Sequence, residues 1–157
     1  MRIKKYRLEY DDERKNMLVL ESSNNFPSFS GSLNTPEAIY RVVNEVFGAD
    51  KQVEEHGYLL GLDMKCHPVG FFDISHGDTS SAVVSMKSVF QRALLCGASQ
   101  IVLLHNHPSG DPTPSKADSK LYEKIKEASK IMDIPLIDSI VIGNGCYYSF
   151  CENDNMH

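Results

Sequence analysis

Between residues 105 and 118 the chain reads His105-Asn106-His107-Pro108-Ser109-Gly110-Asp111-Pro112-Thr113-Pro114-Ser115-Lys116-Ala117-Asp118. Two imidazoles and a carboxylate stand close together in a short, stiff stretch. On an extended strand end, residues two apart point the same way, so His105 and His107 share a face. Three prolines restrict the turn that follows, and Asp118 falls in the first turn of a helix. Two histidines and one aspartate suit zinc, and three protein ligands leave a fourth position open for water. The layout is that of a catalytic site rather than a closed structural one.

A competing reading exists for part of this string. Ser115 followed three residues later by Asp118 is a capping box, which stabilises a helix start and has no other role. Against a pure cap, Asp118 lies near the apolar stripe of Leu121, Ile125 and Met132 at helical spacing. A bare carboxylate facing inward is costly unless paired or metal-bound. The letters His-Asn-His also occur in HNH nucleases, but those residues are dispersed through a different fold and three letters are too few to carry that assignment.

Hydrolysis at such a site needs a general base as well as the ligands. Glu54 and Glu55 enter the strand from Tyr58 to Leu62 and are candidates. On the residues alone, acids ahead of a strand are better read as a solvated entry.

The surrounding pattern supplies elements that would position these groups. Tyr6, Leu8 and Tyr10 alternate with charged residues, and Met17 to Leu20 follow a polar turn, which predicts a β-hairpin. Ser22 to Ser32 is polar with Asn, Pro and Gly and reads as a loop. Thr35-Pro36-Glu37 starts a helix whose apolar face is Ile39, Val42, Val43 and Val46, with Gly48 at its end. Tyr58–Leu62 and Val69–Ile74 read as strands around an Asp63-Met64-Lys65 turn. A helix is expected from about Ser80 to Cys96, with Met86, Phe90 and Ala93 along one side and Gly97 as its cap. Ile101 to Leu104 is a continuous apolar run, as in a central strand covered on both faces. It delivers the histidines at its C-terminal end, where α/β sheets place ligand sites. A helix from Lys116 to about Met132 should bury Leu121, Ile125, Ala128 and Met132. Ile137–Ile142 and Cys146–Phe150 form a hairpin about Gly143-Asn144-Gly145, and the tail after Cys151 should fray. There are no internal repeats. The expectation is an α/β fold, a mixed β-sheet flanked by helices.

The 157 residues suit one domain with a real core. A net charge of -5 offers no bulk positive field for nucleic acid. Cys66, Cys96, Cys146 and Cys151 form no Cys-x-x-Cys pair and read as reduced thiols, some of them buried. The charged N-terminus lacks the apolar stretch of a signal peptide, and no run reaches membrane-spanning length. A soluble cytoplasmic protein without membrane contact is expected. His56, His67, His76 and His157 show no partner pattern and read as solvated or loop residues. Lys116, Lys120 and Lys124 line one helix face, either a basic docking strip or an ordinary solvated one. Neighbouring Glu123 and Glu127 favour the second.

His105-x-His107, seven residues, Ser115, two residues and Asp118 together resemble the JAMM motif of the JAB/MPN metalloprotease domain. The longer string HNHPSGDPTPS is similar to the RadC family within that group. The resemblance covers about residues 33 to 151 and includes Tyr-Tyr-Ser-Phe-Cys-Glu near the end. It implies a three-layer architecture like that of cytidine deaminases, preceded by a hairpin extension over residues 1–32 and followed by a tail at 152–157. The helix-hairpin-helix region of longer RadC proteins lies outside the sequence, which therefore resembles a short, stand-alone member.

The resemblance implies one Zn²⁺ per chain held by His105, His107 and Asp118, with Ser115 supporting the developing oxyanion. It selects Glu55 over Glu54 as the base, because the family glutamate precedes a strand ending in Leu-Asp, here Leu62-Asp63. The implied activity is zinc-dependent hydrolysis of a protein or peptide substrate, of the metallopeptidase or isopeptidase type. Met86-Lys87-Ser88 stands where members usually carry Pro-Arg-Glu, and Asp138-Ser139 where they often carry Asp-His. Asp138 is expected to accept a hydrogen bond from a ligand histidine. The alternative is a DNA-repair or mobile-element accessory protein that binds DNA or a protein partner with a non-catalytic zinc site. Purely scaffolding JAB/MPN domains usually lose ligands, and this chain retains the set.

Overall fold

The computed structural model describes residues 1–77 and 84–154. A single seven-stranded sheet organises them. Its strands are β1 (Arg2–Tyr10), β2 (Asn16–Asn25), β3 (Glu55–Leu62), β4 (Pro68–Gly77), β5 (Gln100–Asn106), β6 (Leu136–Ile142) and β7 (Tyr147–Ser149), in the spatial order β2-β1-β4-β3-β5-β6-β7. The β1/β4 and β5/β6 pairs are parallel and the rest antiparallel. The expected mixed sheet is therefore present, with the first hairpin continuous with it through Lys5 opposite Phe71.

Strand alternation divides the core into two layers. On one face, α1 (Pro36–Phe47) packs Ile39, Val42 and Val43 against Tyr58, Leu60, Leu62, Val102, Leu104 and Ile140. On the other, α2 (Met86–Leu95) and α3 (Lys116–Ile131) bring Val89, Phe90, Ala93 and Ile125 onto Leu59, Phe72, Ile101 and Leu103. β5 is thus buried on both faces, as its unbroken apolar run predicts. Truncating a side chain such as Leu60 to alanine costs about 2–5 kcal/mol.

The helix ends follow their residues. The Thr35 hydroxyl accepts from the Ala38 N–H at 3.2 Å, Pro36 opens α1, and Gly48 closes it at φ 62°. Ser85 caps α2 by accepting from the Ser88 N–H. The earlier start expected near Ser80 falls on residues 78–83, outside the described residues.

Four expectations change. Ser22 to Asn25 are not loop but the end of β2, where Lys5, Lys4, Ile3 and Arg2 lie opposite them. The ladder from β1 overrides the weak strand preference of Ser and Asn on this edge. On α3, Ile125 is buried and Leu121 and Ala128 pack half-buried against the same core as expected, but Tyr122 and Ser129 are buried beside them and Met132 is 38% exposed. The cause is the C-terminal segment, which does not fray after Cys151 but forms α4 (Phe150–Asp154). Phe150 stacks on Tyr122 at 4.4 Å between centroids, and the Tyr122 hydroxyl donates to Asp154 at 2.8 Å. Finally, none of the four cysteines is fully buried or in a disulfide; Cys146 is exposed and the others are half-buried.

No helix among the described residues is long and apolar enough to cross a membrane.

Candidate metal centre

β5 ends at Asn106, and the chain leaves it through His107, whose N–H still donates to the Ile142 carbonyl of β6. His105 shares the face of Leu103 and Ile101, toward α2 and α3. The loop of residues 108–114 returns the chain to the start of α3, directly beside the histidines. That return is fixed at the neighbouring hairpin. The Asn144 N–H donates to the Gly110 carbonyl at 2.9 Å. A Cβ on Gly143 would lie 2.4 Å from the Gly110 carbonyl oxygen and 2.9 Å from Pro112 Cδ. Only glycine allows that approach.

At the start of α3 the capping box is complete. The Ser115 hydroxyl accepts from the Asp118 N–H at 3.1 Å, and the Asp118 carboxylate accepts from the Ser115 N–H at 2.7 Å. The same carboxylate reaches both histidines. Its Oδ1 is 3.2 Å from His105 Nε2 and its Oδ2 is 3.4 Å from His107 Nε2, while the two Nε2 atoms are 3.1 Å apart. The capping box is thus present, and because the same Asp118 carboxylate also belongs to the His105–His107 cluster, the two readings do not exclude each other.

These separations fit a metal. Two ligand atoms on a tetrahedral zinc, each about 2.0–2.1 Å from it, stand roughly 3.4 Å apart. The two Nε2 atoms stand close to that separation, and each has a different Asp118 oxygen at a similar distance, with one ligand atom from each of the three side chains within 4.8 Å of the other two. The donor atoms are also presented in the right form. His107 Nδ1–H donates to the Asp111 carbonyl at 2.8 Å, which orients the ring with Nε2 toward the cluster. Burial pushes the Asp118 carboxyl up, but hydrogen bonds from His105, His107 and Ser115 more than reverse it, holding it well below the usual carboxylate range. The hydrogen bond to Asp118 raises His107 above the ordinary histidine value, against the effect of its burial. The ionised form is the one in which a carboxylate binds a metal. Among the described residues, His105, His107 and Asp118 are the one group of three or more such side chains close enough to hold an ion.

Glu54 and Glu55 part company. Glu55 opens β3, and Gly57, two residues on, lies opposite His105. Glu55 therefore faces the histidine side of the sheet. It lines, with His105, Asp118, Leu103 and Leu121, a cavity of about 40 Å³. A water needs ~10–15 Å³ of such space, so the cavity has room for a few waters beside the ligands. Glu54 points to the opposite side, its carboxylate 3.8 Å from His76 and its side chain 59% exposed.

Asp138 does not support a ligand histidine. Its Oδ1 accepts from the Ser139 and Cys151 N–H groups and its Oδ2 from the Ser149 hydroxyl. It anchors α4 instead, and the Asp111 carbonyl serves His107. His56 and His76 lie in strands; His76 is solvated as expected, whereas His56 is mostly covered. They sit opposite each other on β3 and β4, and His56 Nδ1 meets Asp73 Oδ2 at 2.9 Å. Both strands extend further toward this end than hydrophobicity indicates. His67 lies in the β3–β4 turn beside Asp63, and His157 is outside the described residues. Lys116, Lys120 and Lys124 are exposed along α3.

The residue that sequence reading passed over is Asn106. It is buried, with 2% exposure, between the two ligand histidines. The signal for it was a polar residue at a strand position whose apolar neighbours Leu104 and Val102 face the core.

Comparison with known proteins agrees with this geometry. A family model described as a RadC-like JAB domain matches residues 33–156. A UPF0758 protein of Clostridium tetani is 34% identical over 143 residues, covering 88% of this chain and 61% of the relative. UPF0758 proteins of Clostridium acetobutylicum and Pelobacter propionicus are 39% and 40% identical over 99 and 98 residues, which cover 63% and 62% of this chain and 43% of each relative. The chain thus spans about half the length of the curated relatives it matches. With a family model over most of its length and a metal-ligand cluster at the end of its central strand, this chain belongs to the RadC-like JAB domain family.

Proposed function

We propose that this chain is a zinc-dependent hydrolase of the JAMM metallopeptidase or isopeptidase type, acting on a protein or peptide. The observation that carries the reading is one cavity lined both by His105 and Asp118, two members of the three-residue cluster, and by Glu55, a carboxylate from a strand fifty residues upstream. A zinc ion held by His105, His107 and Asp118 would supply Lewis acidity toward a water molecule and lower that water's pKa.

The protein's own groups do the rest. His105, His107 and Asp118 hold the ion. Glu55, half-buried at the cavity wall, takes a proton from the attacking water and passes it to the leaving amine. The Ser115 hydroxyl accepts from the Asp118 N–H, which leaves its own proton to donate to the developing oxyanion. Ile74 and Leu103 supply an apolar wall that strengthens these electrostatic interactions.

The test is a metal-dependent activity screen on peptide, isopeptide and DNA substrates, comparing wild type with Glu55→Gln. Purified, untagged protein should hold one zinc per chain. Peptide or isopeptide cleavage that is lost on chelation and in Glu55→Gln supports the reading. Absence of stoichiometric zinc, or turnover undiminished in Glu55→Gln, sinks it.

A further inference from the structure

Residue Asn106 lies between two metal ligands, yet its side chain serves another purpose. His105 and His107 face α2 and α3, so alternation sends Asn106 to the α1 side, the side of Leu104. There its carboxamide crosses to β3. The His56 N–H donates to Asn106 Oδ1 at 2.7 Å, and Asn106 Nδ2 donates to the Glu54 carbonyl at 2.9 Å. Only one orientation of the amide satisfies both partners, so oxygen and nitrogen are unambiguous.

Those two backbone groups belong to the peptide planes on either side of the Glu55 α-carbon. The Glu54 carbonyl lies in the plane before it and the His56 N–H in the plane after it. Holding both planes fixes φ and ψ of residue 55, and with them the direction in which its side chain leaves the strand. The need for such a clamp comes from the sheet itself. The β3–β5 ladder pairs Gly57 with His105, and the next step would set His56 opposite Asn106. At that point the β5 main chain turns toward β6 and the metal loop. The carboxamide presents one acceptor and one donor, as a strand's main chain would, and so supplies the rung that the main chain does not.

We infer that Asn106 is a positioning residue for Glu55. It locks the backbone of the proposed base to the same strand end that carries the two histidine ligands, so that base and metal share one frame. The inference rests on the proposed role of Glu55, and it adds a residue that neither binds the metal nor touches the cavity.

The experiment uses the full-length, zinc-loaded chain and whichever peptide or isopeptide substrate the wild type cleaves. Asn106→Ala should retain one zinc per chain. Its kcat should fall on the order of 10²-fold, the usual result of displacing a catalytic group by about 1 Å, with KM little changed. In a Glu55→Gln background the same substitution should cause no further loss of rate, because the group it positions is already gone. Wild-type kcat per zinc in Asn106→Ala, or an undiminished further loss on top of Glu55→Gln, overturns the inference. If Asn106→Ala does not fold, the isosteric Asn106→Asp carries the test. It keeps an acceptor for the His56 N–H, removes the donor to the Glu54 carbonyl, and should lower kcat by at least about tenfold; a wild-type rate overturns the clamp. If the wild type cleaves nothing, the functional proposal fails separately. The clamp is then read from a crystal structure of the zinc-loaded variant, where an unmoved Glu55 carboxylate refutes it and a displaced one supports it.

Discussion

The two halves of the candidate site are built by different means. The ligand half runs from His105 to Asp118, is continuous in the chain, and is held by its own short-range bonds: the capping box, the His107–Asp111 contact and the loop's seat on Gly143. The half that carries Glu55 comes from the start of β3. It owes its position to the register of β3 with its neighbours and to the Asn106 side chain. A metal site can be written into a local segment, whereas a carboxylate aimed at that metal from fifty residues away depends on the whole sheet.

If this division is right, each half breaks separately. The largest effect should come from His105→Ala or Asp118→Ala. Zinc affinity should fall by more than the 10–100-fold that even outer partners of a metal command. Zinc analysis after dialysis against a chelator should then show an empty variant with no metal-dependent turnover. Next, Glu55→Gln should keep its zinc and lose about 10²- to 10⁴-fold in turnover. Glu54→Gln, whose side chain faces His76, should be indistinguishable from wild type in both assays. Equal effects at the two positions would show that the register described for β3 is wrong.

Two smaller effects sharpen the comparison within the ligand half. Gly143→Ala forces the motif loop off the β6–β7 turn and should destabilise the fold by about 1–3 kcal/mol, as overpacking does, while weakening zinc. Ser115→Ala removes one half of the capping box and should cost about 0.5–2 kcal/mol in urea unfolding, with zinc retained. A loss of zinc in Ser115→Ala would show that the cap and the ligand set are more tightly coupled than their separate hydrogen bonds indicate.

The same contrast explains what could be read from the residues. His105, His107 and Asp118 follow from spacing along one strand and one helix turn, where geometry is local. The core strand Ile101–Leu104 and both caps of α1 were legible for the same reason. The burial of Tyr122 on α3 was not, because it is covered by Phe150, almost thirty residues later, and no helical periodicity contains that partner. Polar Ser22–Asn25 became strand only because β1 lies beside them. Glu55 needed the resemblance to select it from Glu54, since β3 begins three residues before its apolar run. Asp138 was assigned to a histidine and instead holds the Cys151 N–H, a contact that exists only once the last strand turns into α4.

The missing Cβ at Gly143 has a consequence for how this segment can be moved. Although the three ligands sit within fourteen residues, the string is not a portable cassette. Its loop is moulded against a turn that arrives about thirty residues later, and a transplant into another scaffold would need a second, glycine-bearing surface of matching shape. Any deletion that trims the chain back past β6 would expose the flank of the loop and loosen its grip on His107, even with every ligand still in place.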